Sequence, residues 1–230
     1  MNQPLISLNN VGFTYRTLTG IMKVEKFQAL KSINLDIKPS ETLGVIGANG
    51  SGKSTLLKIL ARIYDPDEGS ISFSAKKISL LSLSLGFDPR LSGIDNVILS
   101  SMLLGASLKQ AQQRVDEVLE FSELEKFAKQ PVRTYSSGMS ARLGFAVALK
   151  MQTDVLLIDE ALAVGDARFK LKSERAIIEK MSSSQTVVLV SHSAAQINRL
   201  CDRAVWIDNG EIVLEGDTEL VARKYAEACA

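Results

Sequence analysis

At 230 residues the chain is long enough for one large domain or two small ones, and 46% hydrophobic with 23% charged residues is an ordinary globular composition. A formal net charge of +1 gives no electrostatic case for nucleic acid as a partner, and Cys201 and Cys229 stand at no metal-ligand or redox spacing, which reads as two reduced thiols. Met1-Asn2-Gln3-Pro4 lacks the pattern of a signal peptide, and the longest mainly apolar stretch, 97–108, is far short of the roughly 20 residues a spanning helix needs, so any membrane association is expected to be by docking.

In chain order, residues 5–16 and 32–37 read as strands; in the second, Ile33, Leu35 and Ile37 alternate with Asn34 and Asp36. Residues 17–27, with Lys23 and Lys26, show no strand period and are expected to form an irregular insert. Thr42-Leu43-Gly44-Val45-Ile46 is a short run of buried-strand type, and 54–62 repeats apolar residues at helical spacing through Leu56, Leu57, Ile59 and Leu60. Between them Gly47-Ala48-Asn49-Gly50-Ser51-Gly52-Lys53-Ser54-Thr55 fits G-x-x-x-x-G-K-[ST] without a mismatch. In that strand-loop-helix setting it is a phosphate-binding loop. Its glycines let backbone N–H groups and a helix N-terminus face one anion, and Lys53 adds a point charge for the β- and γ-phosphates.

From about 94 to 150 the period is helical, clearest over 111–121 and 124–128, with Pro131 breaking the path into Tyr135-Ser136-Ser137-Gly138-Met139-Ser140. Ala141, Leu143, Phe145, Ala146 and Leu149 suggest a further helix, for which Ser137 is the expected N-cap. The strand run Val155-Leu156-Leu157-Ile158 ends on Asp159-Glu160, and a second one, 186–191, ends at His192, the chain's single histidine. Asn209-Gly210 between 204–207 and 212–214 is a hairpin signal.

A carboxylate at the end of a hydrophobic strand is costly unless paired or bound to a cation. Asp159 is therefore expected to hold Mg²⁺, directly or in the second shell, with the Ser54 hydroxyl as the other protein ligand. Glu160, one residue on, can accept a proton from the attacking water or orient it, and is the expected catalytic base. His192, at the carboxyl end of a strand where open α/β sheets bind ligands, is the expected γ-phosphate sensor.

The order of phosphate loop, Ser136-Ser137-Gly138-Met139, Asp-Glu strand and histidine resembles the nucleotide-binding subunit of ABC transporters over nearly the whole chain. The resemblance implies an α/β fold: a P-loop ABC ATPase core with an N-terminal antiparallel β subdomain and an α-helical subdomain inserted at about 94–150, the chain 1–230 forming a single nucleotide-binding domain. It implies ATP and Mg²⁺ as ligands and a homodimer in which Ser137 and Gly138 of one copy cap the γ-phosphate held by the loop of the other. An aromatic residue after the first strand stacks on adenine in this family, for which Tyr15 is the candidate and Phe13 its competitor.

Two departures narrow the resemblance. Ser136 to Ser140 stands where Leu-Ser-Gly-Gly-Gln is usual, and Ala161-Leu162-Ala163-Val164-Gly165-Asp166-Ala167-Arg168-Phe169 follows the acidic pair. Both resemble the ATP-binding subunits of bacterial polysaccharide exporters, of capsule, O-antigen or teichoic-acid type, and Tyr15-Arg16-Thr17-Leu18-Thr19-Gly20 is similar to the capsule branch. This implies ATP hydrolysis at the cytoplasmic face of the inner membrane, powering export of a lipid-linked polysaccharide through two copies of a separate membrane permease. The other readings are the ATPase of another ABC transporter, for lipid or drug, and a soluble ABC ATPase. The family's glutamine between loop and signature has no counterpart in 77–97, leaving backbone, Ser82, Ser84 or Asp88 for its role, and 85–104 is where the groove for the membrane partner is expected. A C-terminal sugar-binding β-sandwich, found in some relatives, is not expected before Ala230.

Overall fold

Strands that are apolar at every position have no side to offer water, so they must lie inside a sheet covered on both faces. The computed structural model, which describes residues 3–18, 24–81, 86–159, 165–181 and 183–229, puts Thr42–Ile46, Val155–Ile158 and Thr186–Ser191 in that situation, buried throughout. In chain order the elements are β1 (Ile6–Leu18), β2 (Val24–Ile37), β3 (Thr42–Ile46), α1 (Lys53–Leu60), β4 (Glu68–Phe73), β5 (Ile78–Leu81), α2 (Gly93–Leu103), α3 (Leu108–Gln113), α4 (Val115–Ser122), α5 (Ser137–Lys150), β6 (Val155–Ile158), α6 (Ala167–Met181), β7 (Thr186–Ser191), α7 (Ala194–Leu200), β8 (Arg203–Asp208), β9 (Glu211–Gly216) and α8 (Thr218–Ala228). They fall into two compact units: Met1–Ile78 with Asp154–Glu160 and Met181–Ala230, and Ser79–Thr153 with Ala161–Lys180.

The first unit is α/β. Its larger sheet runs β6-β7-β3-β8-β9. β3 lies parallel to β7 and β8, β6 lies parallel to β7, and β9 lies antiparallel to β8. The β8–β9 turn is Asn209-Gly210, both at positive φ (48° and 81°), the backbone a two-residue hairpin of this hand requires. Because β3, β6 and β7 are parallel, the phosphate loop, Asp159 and His192 all leave the sheet at its carboxyl edge.

The smaller sheet is antiparallel, in the order β2-β1-β4. Ile33, Leu35 and Ile37 are buried and alternate with exposed Asn34 and Asp36, as their spacing predicts. The irregular insert expected at 17–27 is corrected here: Tyr15 pairs with Phe27, Arg16 with Lys26, Thr17 with Glu25 and Leu18 with Val24, so β1 and β2 continue as a two-stranded ribbon. Residues 16–18 and 24–28 are exposed, so no buried face imposes an apolar alternation, and the strand period vanishes from the sequence. Lys23 lies outside the described residues.

One side chain ties this unit together. Arg203 donates to both carboxylate oxygens of Glu41 (3.2 and 2.8 Å), to Glu215, and to the carbonyl of Asp36 (2.6 Å), with side-chain exposures of 14% for Arg203 and 11% for Glu41. Removing one partner of such a pair leaves the other charged and desolvated. Arg203→Met is therefore expected to lower stability by about 3 kcal/mol in urea unfolding, and a loss indistinguishable from that of an exposed Arg→Met change would refute the role.

The second unit is mainly helical. Serines start α2 and α3: Ser92 accepts from Asp95 N at 3.1 Å, and Ser107 forms a capping box with Gln110. Val97, Val118, Leu119, Leu143, Ala146 and Val147 form its core, with the Tyr135 hydroxyl donating to the Phe127 carbonyl at 2.8 Å. The helix expected over 111–121 is broken at Arg114, which ends α3 and opens α4 while its guanidinium donates to the Lys150 carbonyl at the end of α5. The piece expected at 124–128 is one 3₁₀ turn, Glu125–Phe127, entered after Glu123 turns left-handed at φ 60°. Among the described residues no helix is long and apolar enough to cross a membrane.

Candidate functional site

The phosphate loop is built by close backbone approach. Gly52, at φ 110°, lies where a Cβ would sit 2.6 Å from the Ala29 carbonyl oxygen, and a Cβ on Gly47 would meet the Ile207 carbonyl at 2.2 Å. The loop is also pinned by hydrogen bonds: Gly210 N donates to Ser51 O at 3.0 Å and Lys31 N to Gly210 O at 2.8 Å. Lys53 is buried and turns back into the loop, donating to the carbonyls of Gly47 and Ala48, each at 2.8 Å. Burial lowers its pKa, an effect that the nearby Asp159 charge opposes. Helix α1 begins at Lys53 with no side-chain cap, and Ser51 Oγ is buried with no hydrogen-bond partner among the described residues. An uncapped helix end, an interior ammonium and an unsatisfied hydroxyl together match the oxygens of a phosphate chain.

A cavity of about 190 Å³ opens on this loop, lined by Phe27, Ala29, Asn49, Gly50, Gly52, Lys53, Ser54, Thr55 and Asp159. It brings together most of the loop residues expected from the sequence with the strand-end carboxylate. Ser54 is exposed and Asp159 half-buried; a hydroxyl and a carboxylate on one cavity are a donor pair whose chemistry fits Mg²⁺ completed by phosphate and water oxygens. Among the described residues no cluster of three or more His, Cys, Asp or Glu could hold a metal by itself. His192 is exposed in the turn after β7, a turn fixed by Ser191 Oγ, which donates to Gln196 Oε1 at 2.8 Å and accepts from Ser193 N at 3.0 Å. Glu160 lies outside the described residues.

Tyr15 is half-buried, its hydroxyl 3.2 Å from Thr55 Oγ1 and its ring perpendicular to those of Phe13 and Tyr64, which stack on each other at 5.1 Å. Phe27 and Ala29 line the cavity but were not legible as site residues, because their place follows from the β1–β2 register and leaves no motif. Cys201 and Cys229 are free, and burial pushes the Cys201 thiol up to about 12, well out of the nucleophile range.

In the second unit Ser137, Gly138 and Met139 open α5, but the N-cap is Ser136, whose Oγ accepts from Met139 N at 3.2 Å. The expected cap at Ser137 is thus one residue late: Ser136 has the extended backbone (φ −67°, ψ 161°) a cap needs, while Ser137 is already helical with its side chain exposed. Further along α5, Arg142 reaches Asp166 at 2.6 Å. Asp88 is engaged by Arg90, whose guanidinium bonds hold its carboxyl at about 2; Ser82 and Ser84 lie outside the described residues.

Comparison with known proteins agrees with this geometry. Residues 30–163 match the model of the family described as ABC transporter. The chain is 40% identical over 210 residues to an O-antigen export system ATP-binding protein, RfbB, of Klebsiella pneumoniae, covering 91% of this chain and 85% of that protein. It is 44% identical to the RfbB of Myxococcus xanthus and 39% identical to the teichoic acids export ATP-binding protein TagH of Enterococcus faecalis, and spans 46% and 45% of their lengths, about half of each. A dimeric ATP-binding cassette in a post-hydrolysis state with ADP and Pi superimposes with a TM-score of 0.74 at 26% identity, over 93% of this chain and 98% of that one. The loop, the Asp159 strand and the matched family model lead to one conclusion: the chain belongs to the ABC transporter family, as one of its ATP-binding cassettes.

Proposed function

We propose that the chain is the ATP-hydrolysing subunit of an exporter that moves a lipid-linked polysaccharide across the bacterial inner membrane through a separate permease. The observation that carries the ATPase half is the cavity that gathers Lys53, Ser54 and Asp159 on an uncapped helix end. The export half is supported by similarity to the O-antigen and teichoic-acid export proteins. Backbone N–H groups of the loop and Lys53 hold the β- and γ-phosphates. Ser54 and Asp159 would hold Mg²⁺, which would supply positive charge to neutralise the phosphate oxygens. Glu160 takes the proton of the attacking water, and His192 holds the γ-phosphate from the neighbouring strand end. Two copies act together, Ser137 and Gly138 of one facing the γ-phosphate of the other, and each copy engages one of two permease subunits from the cytoplasmic side. Two exposed apolar side chains, Met102 (45%) and Leu103 (68%), at the end of α2 lie within the 85–104 stretch assigned to that docking.

The test is replacement of the gene by Lys53→Ala in its own cell. Polysaccharide synthesis should continue, lipid-linked product should accumulate on the cytoplasmic side, and the surface coat should disappear. Normal surface polysaccharide, with some other solute failing to cross, would refute the substrate class.

A further inference from the structure

We propose that the groove between the end of α4 and α6 is a docking site for a second protein, which enters it as a short acidic helix with an apolar anchor. Helix α6 carries five cations and two carboxylates, a net +3 in a chain whose own net charge is +1. Three of those cations, Arg168, Lys172 and Arg175, line a cavity of about 490 Å³ together with Phe121 and Leu171. They recur at spacings of four and three, so they stand in one row along the helix. Lys172 bonds Glu123 at 3.1 Å, whereas Arg175 is exposed and its guanidinium makes no ion pair among the described residues. The apolar part of the groove is open too: Leu171 is 59% exposed, and the ring of half-buried Phe121 has the Lys150 and Lys172 ammonium groups 5.2 and 5.0 Å from its centre. None of these residues belongs to the phosphate loop or to the 85–104 stretch.

The spacing of the charges decides the occupant. Arg168 and Arg175 are seven residues apart, roughly 10 Å along the helix axis, too far to converge on one phosphate. A bilayer surface presents its anions over a plane, and Glu179, which also lines the groove, would repel them. A helix lying along α6 meets the whole row: carboxylates at the matching spacing face the cations, and an apolar side chain between them sits against Leu171 and Phe121. Glu123 is no obstacle, because Lys172 and Arg142, the latter at 3.7 Å, already neutralise it.

The experiment places a photoreactive benzophenone side chain at position 179 of the full chain in its own cell, and maps the cross-linked peptide by mass spectrometry. The expected adduct is with one segment of another protein, bearing at least two carboxylates and an apolar residue at helical spacing. Arg175→Glu in the same background should abolish the adduct and Arg175→Lys should keep it. Reversing the facing carboxylate of the mapped segment to Arg should restore the adduct with the Arg175→Glu chain. In titrations with a synthetic copy of the mapped segment, Arg175→Glu should weaken binding by about 10-fold or more while ATP turnover stays at the parent rate, which shows that the variant is folded. Adducts with phospholipid only, with a second copy of this chain only, or with nothing would overturn the proposal. So would a mapped segment that is basic, or one that binds the Arg175→Glu chain as tightly as the parent.

Discussion

Glu160→Gln is expected to lower ATP turnover by roughly 10² to 10⁴ while ATP still binds. The substitution keeps the size and hydrogen-bonding reach of the side chain and removes the one property a base needs. The substitution leaves the phosphate loop unaltered, so ATP binding is expected to persist, and the ATP-bound dimer should outlive its normal lifetime because the step proposed to open it is blocked. Phosphate release in the steady state reads the first effect, and size-exclusion chromatography with ATP the second. Near-parent turnover would show that Glu160 is not the base. Asp166 would be a poor replacement: it caps α6 through Phe169 N at 2.9 Å and pairs with Arg142, and the backbone bond from Phe169 is the main cause holding its carboxyl below the usual range. His192 would then be the residue to examine.

Much of the nucleotide half of the site was legible because its chemistry is tied to backbone geometry. A loop whose glycines must approach the Ala29 and Ile207 carbonyls cannot be built from other residues, so the motif survives as a string of letters. The buried parallel strands were legible for the same kind of reason, being apolar at every position. What was not legible depends on pairing or on local competition. The β1–β2 ribbon has no buried face, so Thr17, Leu18, Val24 and Glu25 carry no period, and with the ribbon unread Phe27 could not be placed opposite Tyr15. Ser136 and Ser137 are both acceptable N-caps; only the φ and ψ adopted at Ser136 decide between them. The break between α3 and α4 falls at Arg114, whose guanidinium reaches the Lys150 carbonyl, a contact 36 residues away in sequence. Among the residues considered for the missing glutamine, Asp88 is committed to Arg90, a pairing that follows from a turn and not from a motif.

In the proposed dimer the two compact units of one chain serve two different active sites: Lys53 lies in the first unit and Ser137 in the second, and each would complete a site with the opposite unit of a partner copy. Lys53→Ala removes the phosphate charge and Ser137→Arg puts a bulky cation where α5 should face the γ-phosphate, so either variant alone should be almost inactive. When the two are mixed, half of the randomly formed dimers contain one of each chain, and in those one site has both residues intact while the other has neither. Mixing equal amounts of the two inactive chains should therefore restore up to about a quarter of the parent ATPase activity in a two-fold symmetric dimer, rising with the square of protein concentration at low concentration. No recovery on mixing, or activity of the parent chain that stays first order in protein down to the dilution at which it is monomeric, would contradict the account.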